Sequence, residues 1–278
     1  MISISMEKRT CNKNKSVNTS IGGSRLRNNA EKLGAVLIAL LFWQLAAKLI
    51  DSSILMATPV EVLKRLTTIW RDDGFVEVIL FTLTRISLGY LLAVAAGLLA
   101  AFTANACRAV EVLLSPWVAA FRAVPVASMI VILLIWVSAV NLSVIVAFLV
   151  VFPVVYTNML VGLKSRSTAL WEMAKVFTMS RGKYLRYVLL PQLKPYMMSA
   201  CSVTAGMAWK AGVAAEVIGT PPRSVGKMIY QSKIWLNTAD LFAWTLILVL
   251  LSVIFEKLFI TLLKKLLKVD KTQDKRQS

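Results

Sequence analysis

At 278 residues, with 58% hydrophobic side chains, a mean hydropathy of +0.69 and only 17% charged residues, the chain has more apolar surface than a core of this length can hide. Its 12 Gly, 8 Pro and 3 Cys exclude collagen-like, low-complexity and disulfide-framework classes, and the lack of histidine removes His-ligated metals and any His general base. The net charge of +18 comes from basic residues flanking apolar runs, which points to membrane topology rather than to nucleic acid.

The expected fold is therefore all-α: a polytopic membrane helix bundle of about six transmembrane helices. Residues 1–30 are polar, rich in Asn, Ser, Lys and Arg, and read as a disordered basic cytosolic tail. They are too long and too polar for the start of a signal peptide. Six stretches then approach the roughly 20 apolar residues that cross a bilayer. They are Leu33 to Ile50, Ile86 to Ala106, Val124 to Val140, Leu142 to Val161, Pro195 to Ala215 and Leu241 to Leu263. Only Asn141 separates the third from the fourth, so one buried hairpin and two separate spans read alike there.

Orientation follows the Lys/Arg bias of the loops. The N-terminal tail, the segment between the fourth and fifth spans, and the C-terminal end are strongly basic. With six spans these three regions share one side, so both termini and the loop are expected in the cytosol of a cell-membrane protein. Cys11, Cys107 and Cys201 read as ordinary small residues, and no metal or cofactor site is expected.

Within the second span, Gly89, Ala93, Gly97 and Ala101 recur every four residues and clear one helix face for close packing. Between the fourth and fifth spans, Leu170, Met173, Ala174 and Phe177 form an apolar stripe at helical spacing, with Ser167 or Thr168 placed to cap its start. A second short helix is expected after Ser180, ending at Pro191. An apolar stripe on such a cytosolic elbow must be buried against something: a partner, the chain's own helix ends or the lipid interface.

Glu172-Met173-Ala174, then Thr178, then Val188 and Leu190-Pro191, resembles the EAA loop of ABC-importer permeases in spacing throughout. That loop reads Glu-Ala-Ala, three residues, Gly, nine residues, a β-branched apolar residue, one residue, Leu-Pro. Met173 replaces an Ala, and Thr178 replaces the Gly that turns the chain between two coupling helices. Because Thr disfavours positive φ, the turn is expected to be built differently, with Gly182 as the alternative pivot.

Thr58-Pro59, Thr84-Arg85, Arg122-Ala123-Val124-Pro125, Phe152-Pro153, Ala208-Trp209, Ala215-Glu216 and Asp240 extend the resemblance to the nitrate/sulfonate/taurine-type permeases. The resemblance implies a first transmembrane helix within 31–56, a type-1 transmembrane domain over 57–264 with its coupling loop at 164–191, and a basic tail at 265–278. It implies cytosolic ATPase subunits, an extracytoplasmic solute-binding protein and a second permease copy as partners in the bilayer. Glu172, Met173, Ala174, Thr178, Leu190 and Pro191 would then couple the chain to the ATPase. The chain has no nucleotide site of its own, since Gly226-Lys227-Met228 lacks the P-loop spacing and the following Ser/Thr. The competing class is an ATP-independent secondary transporter or channel, for which inverted repeats would be expected.

Lys210, in the middle of the fifth span, is too costly to face lipid. Three readings stand: it faces a pathway for an anionic solute, together with Trp209, Glu216 and Arg122; it pairs structurally with Glu216 or a helix-end carbonyl; or the true span is shifted. For Arg122 an interfacial anchor is the competing role, and for Glu216 a contact with the binding protein or a helix-end charge in water.

Overall fold

Close backbone approach between two long helices organises the molecule. A computed structural model describes residues 31–266, apart from 32, 51 and 53; the expected tails at 1–30 and beyond 266 lie outside them. The described helices are α1 (Leu33–Ile50), α2 (Pro59–Thr68), α3 (Phe75–Ala106), α4 (Arg108–Ala123), α5 (Val126–Leu133) and α6 (Ala139–Lys164). They continue with α7 (Thr168–Val176), α8 (Arg181–Tyr184), α9 (Leu190–Gly219), α10 (Val225–Ile234) and α11 (Thr238–Leu266).

The face of α3 bearing Gly89, Ala93, Gly97 and Ala101 is buried, and α3 packs on α6. A Cβ on Gly89 would lie 2.3 Å from the Val144 carbonyl oxygen, and one on Gly97 would lie 2.9 Å from Val155 Cγ1. The small residues thus let two backbones meet, which is how helices gain dispersion energy where lipid supplies no hydrophobic drive.

Residue pairs along the contacts fix direction. Arg85 meets Asn141, Gly89 meets Val144 and Gly97 meets Val155, so α3 and α6 run parallel. Gly162 meets Tyr196 and Gly219 meets Leu142, so α9 runs antiparallel along the length of α6. Tyr90 packs edge-on against Phe255 and Phe259, Phe75 lies against Trp244, and α11 is thereby parallel to α3. Because α3 and α6 are parallel, the segment between them must return the chain across the bundle.

That return differs from the expected third span. Val124 to Val140 is not one helix: α5 covers only Val126–Leu133, and turns at 134–138 precede α6. The chain instead comes back through α4 and α5, which meet at a bend of 105° around Val124 and Pro125. Pro125 lacks an N–H and disfavours a helical residue before it, which breaks the helix there.

Four described helices are long and apolar enough to cross a membrane: α1, α3, α6 and α11. The bent α4–α5 pair makes a fifth if it is taken as one span. α9 has the length, at 30 residues, but is more polar. It touches α3, α5, α6, α10 and α11, so its neighbours rather than lipid cover most of its surface, and it needs less apolar character.

Candidate functional site

The hairpin between α6 and α9 is built from local rules. Ser167 caps α7, its Oγ accepting from the Leu170 N–H at 3.4 Å. At the other end of α7 the Thr178 N–H donates to the Lys175 carbonyl and the Met179 N–H to the Ala174 carbonyl, both at 3.0 Å. This is a Schellman motif, whose residue after the cap adopts the left-handed conformation. Thr178 occupies that position with φ of +45°. The expectation that Gly182 takes over the turn is corrected. Gly182 sits inside α8 without a positive φ, because the paired hydrogen bonds onto Lys175 and Ala174 dictate where the left-handed residue falls.

Pro191 does not end a second short helix, as the sequence suggested. The helix beginning at Arg181 runs unbroken to Gly219. It passes Pro191 through a π-helical stretch, Leu185–Leu189, where the Leu190 N–H reaches back to the Leu185 carbonyl. The wider turn absorbs the missing proline N–H and the ring's clash with the preceding turn. Gln192 ties the base of the hairpin together: its Oε1 accepts from the Ser167 N–H and its Nε2 donates to the Val188 carbonyl, each at 2.9 Å.

Of the apolar stripe, only Ala174 is buried. Leu170, Met173 and Phe177 are exposed, as is Val176 beside them. Glu172 is exposed and makes no ion pair among the described residues; Leu190 is half-buried and Pro191 exposed. Behind the ridge, Ala106, Arg166, Trp171, Ala174, Thr178 and Tyr184 help to line a cleft of about 760 Å³. Trp171 stacks edge-on with Tyr184 at 4.9 Å, and Arg166 and Lys175 lie 5.3 and 5.2 Å from its ring. Trp171 and Gln192 were not singled out from the sequence. The aromatic residue between two cations at helical reach was the available signal for Trp171.

The other grouping, Lys210 with Trp209, Glu216 and Arg122, is not assembled as one surface. Successive helical residues point about 100° apart, and here Trp209 faces inward at 1% exposure while Lys210 is exposed. Arg122 is exposed at the end of α4. Glu216 is fully buried and bonded to Thr82 and to the N–H of Gly226, not to Lys210. The structural pairing of Lys210 with Glu216 is thereby excluded.

At the end of the bundle opposite the hairpin, a Thr58/Glu61 capping box starts α2. Arg65 of α2 bridges Asp72 and Asp240, pinning α2 to the start of α11. Partial burial pulls the Arg65 pKa down, but hydrogen bonds to Asp72 and Asp240 outweigh it and the net direction is upward.

A family model described as "binding-protein-dependent transport system inner membrane component" matches residues 93–268, well over half of the chain. The chain belongs to this family. It is a multi-pass membrane permease of the ABC-importer type rather than a catalytic subunit. The permease is 26% identical over 228 residues to the taurine transport system permease protein TauC of Escherichia coli, covering 80% of this chain and 82% of that one. It is 26% identical over 239 residues to the putative aliphatic sulfonates transport permease protein SsuC of Bacillus subtilis, covering 85% of each. Its fold resembles a solved amino acid ABC transporter with histidines (TM-score 0.53, 17% identity, 73% of this chain and 97% of that chain).

Proposed function

We propose that this permease carries a small oxyanion of the sulfonate or nitrate kind inward, as one of two copies flanking a pathway driven by ATPase subunits docked on α7. The observation that carries the reading is the bare ridge of Met173, Val176 and Phe177, 41%, 79% and 70% exposed at one end of a membrane bundle. Flanking Lys164, Arg166, Lys175, Lys183 and Arg186 hold this end out of the hydrocarbon, where exposed apolar side chains call for a protein cover. By the same charge bias this end is cytosolic, together with both chain termini.

In this reading Glu172, Met173, Ala174 and Thr178 form the docked turn. Leu190 and Pro191, at the foot of the helix that continues into α9, pass its displacement into the bundle. The organisation is a first transmembrane helix within 31–56 and a transmembrane domain over 57–264, with tails on either side. α1, α3, α4–α5, α6, α9 and α11 make the six passes. An extracytoplasmic binding protein delivers the solute to the opposite end.

The solute class rests on the relatives named for taurine and for aliphatic sulfonates and on Lys210. An exposed lysine at bilayer depth costs about 2.5–3.5 kcal/mol against lipid, so this face of α9 meets the second copy. A symmetric pair then sets two cations beside the pathway. The decisive experiment is affinity purification of the tagged permease with its ATPase. Val176→Asp with Phe177→Asp should abolish co-purification while leaving membrane expression intact. Undiminished association would refute docking on this ridge.

A further inference from the structure

The end of the bundle away from α7 is covered by α10, which lies on α3, α9 and α11. It is held there by apolar packing, with Val225, Met228 and Ile229 in a cluster with Ile69, Val78, Ala243 and Trp244, and by a small buried polar set. Glu216, near the end of α9, accepts from the Thr82 hydroxyl of α3 at 2.8 Å and from the Gly226 N–H of α10 at 3.3 Å. The Thr82 oxygen in turn accepts from the Val225 N–H at 3.0 Å. All of it is out of solvent, with Glu216 and Thr82 at 0% exposure. The contact is as close as backbones allow: a Cβ on Gly226 would lie 2.3 Å from Glu216 Cβ and 2.7 Å from the Val217 nitrogen.

Two further features set this contact apart from an ordinary core clasp. Glu216 Oε1 and the Ser143 hydroxyl of α6 are both buried without a well-formed hydrogen bond, although the hydroxyl lies beside the carboxylate. A buried carboxylate whose second oxygen is only loosely met is a weaker fastener than a fully bonded one, because the lost hydration is only partly replaced. The backbone on both sides of α10 is also strained. Among the described residues four that are not glycine have positive φ, and three of them bracket α10: Thr220 at +46° and Arg223 at +61° before it, Leu236 at +54° after it. The fourth is Thr178 in the α7–α8 turn. Left-handed backbone at Cβ-bearing residues persists only where its surroundings enforce it, and it gathers at segments that switch.

We infer that Glu216 is a positioning residue that latches α10 over the outer end of the bundle, and that α10 swings away on its strained flanks when the transporter opens outward. The carboxylate accepts from the Gly226 N–H and the Thr82 hydroxyl from the Val225 N–H, so two bonded side chains on two other helices hold the first turn of α10. The cover is therefore metastable: firm while Glu216 and Thr82 are both engaged, ready to relax its backbone once they part.

This inference rests on the transporter reading, and the two fail separately. The test uses the permease assembled with its ATPase in proteoliposomes, with Cys11, Cys107 and Cys201 replaced by serine and Val225→Cys as reporter. Val225 is 0% exposed, so a membrane-impermeant maleimide should label it slowly. A non-hydrolysable ATP analogue that closes the ATPase subunits should speed labelling about tenfold. Glu216→Gln should do so without nucleotide, since the neutral amide oxygen accepts the Thr82 and Gly226 bonds more weakly than a charged carboxylate. Thr82→Val should behave like Glu216→Gln, and Thr82→Ser, which keeps the hydroxyl, like the parent; this pair decides the matter if Glu216→Gln does not assemble. Labelling indifferent to nucleotide in a complex that forms would make α10 a static cap and overturn the latch. Failure of the ATPase to associate would instead overturn the transporter reading.

Discussion

Replacing Thr178 with glycine should tighten the α7–α8 turn. The threonine holds φ of +45° in a Schellman motif, a conformation that costs a Cβ-bearing residue about 1–2 kcal/mol. Glycine removes that cost but gives the unfolded chain more freedom, worth roughly 0.5–1 kcal/mol in the other direction. The net gain is about 0.5–1 kcal/mol, or a two- to fivefold slower local opening at 1.4 kcal/mol per factor of ten. Hydrogen exchange at the Met179 amide, which donates to the Ala174 carbonyl across the turn, reads that opening directly once corrected for intrinsic rates. Gly182→Ala supplies the contrast. Gly182 lies in a helix, and a methyl group there would meet nothing within 4 Å, so alanine should also slow exchange, by a similar factor. Faster exchange in Thr178→Gly, or destabilisation by Gly182→Ala, would mean that the turn pivots at 182 and that the argument from the paired hydrogen bonds is wrong.

Gly89→Ala should force α3 and α6 apart and lower stability by about 1–3 kcal/mol, visible as a lower Tm in detergent. Gly206→Ala, with open space around it in α9, should instead raise Tm slightly, by the helix propensity gained. Lys210→Met should weaken oxyanion uptake into proteoliposomes several-fold without altering ATPase association, and unchanged affinity and turnover would remove Lys210 from the pathway. Arg65→Met should free α2 from Asp240 of α11, and limited proteolysis of the detergent-solubilised permease should then cut between residues 52 and 73 faster than in the parent.

Hydropathy found α1, α3, α6 and α11 because lipid-facing helices must be apolar nearly all round. It misplaced the return between α3 and α6, since residues 124–140 are apolar whether they form one span or a short helix and a turn. Pro125 marked the break, but an X-Pro step alone does not reveal a bend of 105°. The α7–α8 hairpin was legible by spacing, down to a cap at Ser167 or Thr168, of which the structure uses Ser167. Its pivot was not: the propensity of threonine argued against position 178, while the hydrogen bonds that settle it depend on where α7 ends. Thr82 and Glu216 lie 134 residues apart, and no local pattern links them.

The modest apolarity of α9 bears on how the protein is made. A segment that carries Lys210 and Glu216 and owes its shielding to five neighbouring helices partitions poorly into bilayer by itself. Biogenesis must therefore proceed in order: α3 and α6 emerge from the ribosome first and form the groove into which α9 is received. The helix at the centre of the finished protein enters as a client of its predecessors, and α11 seals it in afterwards.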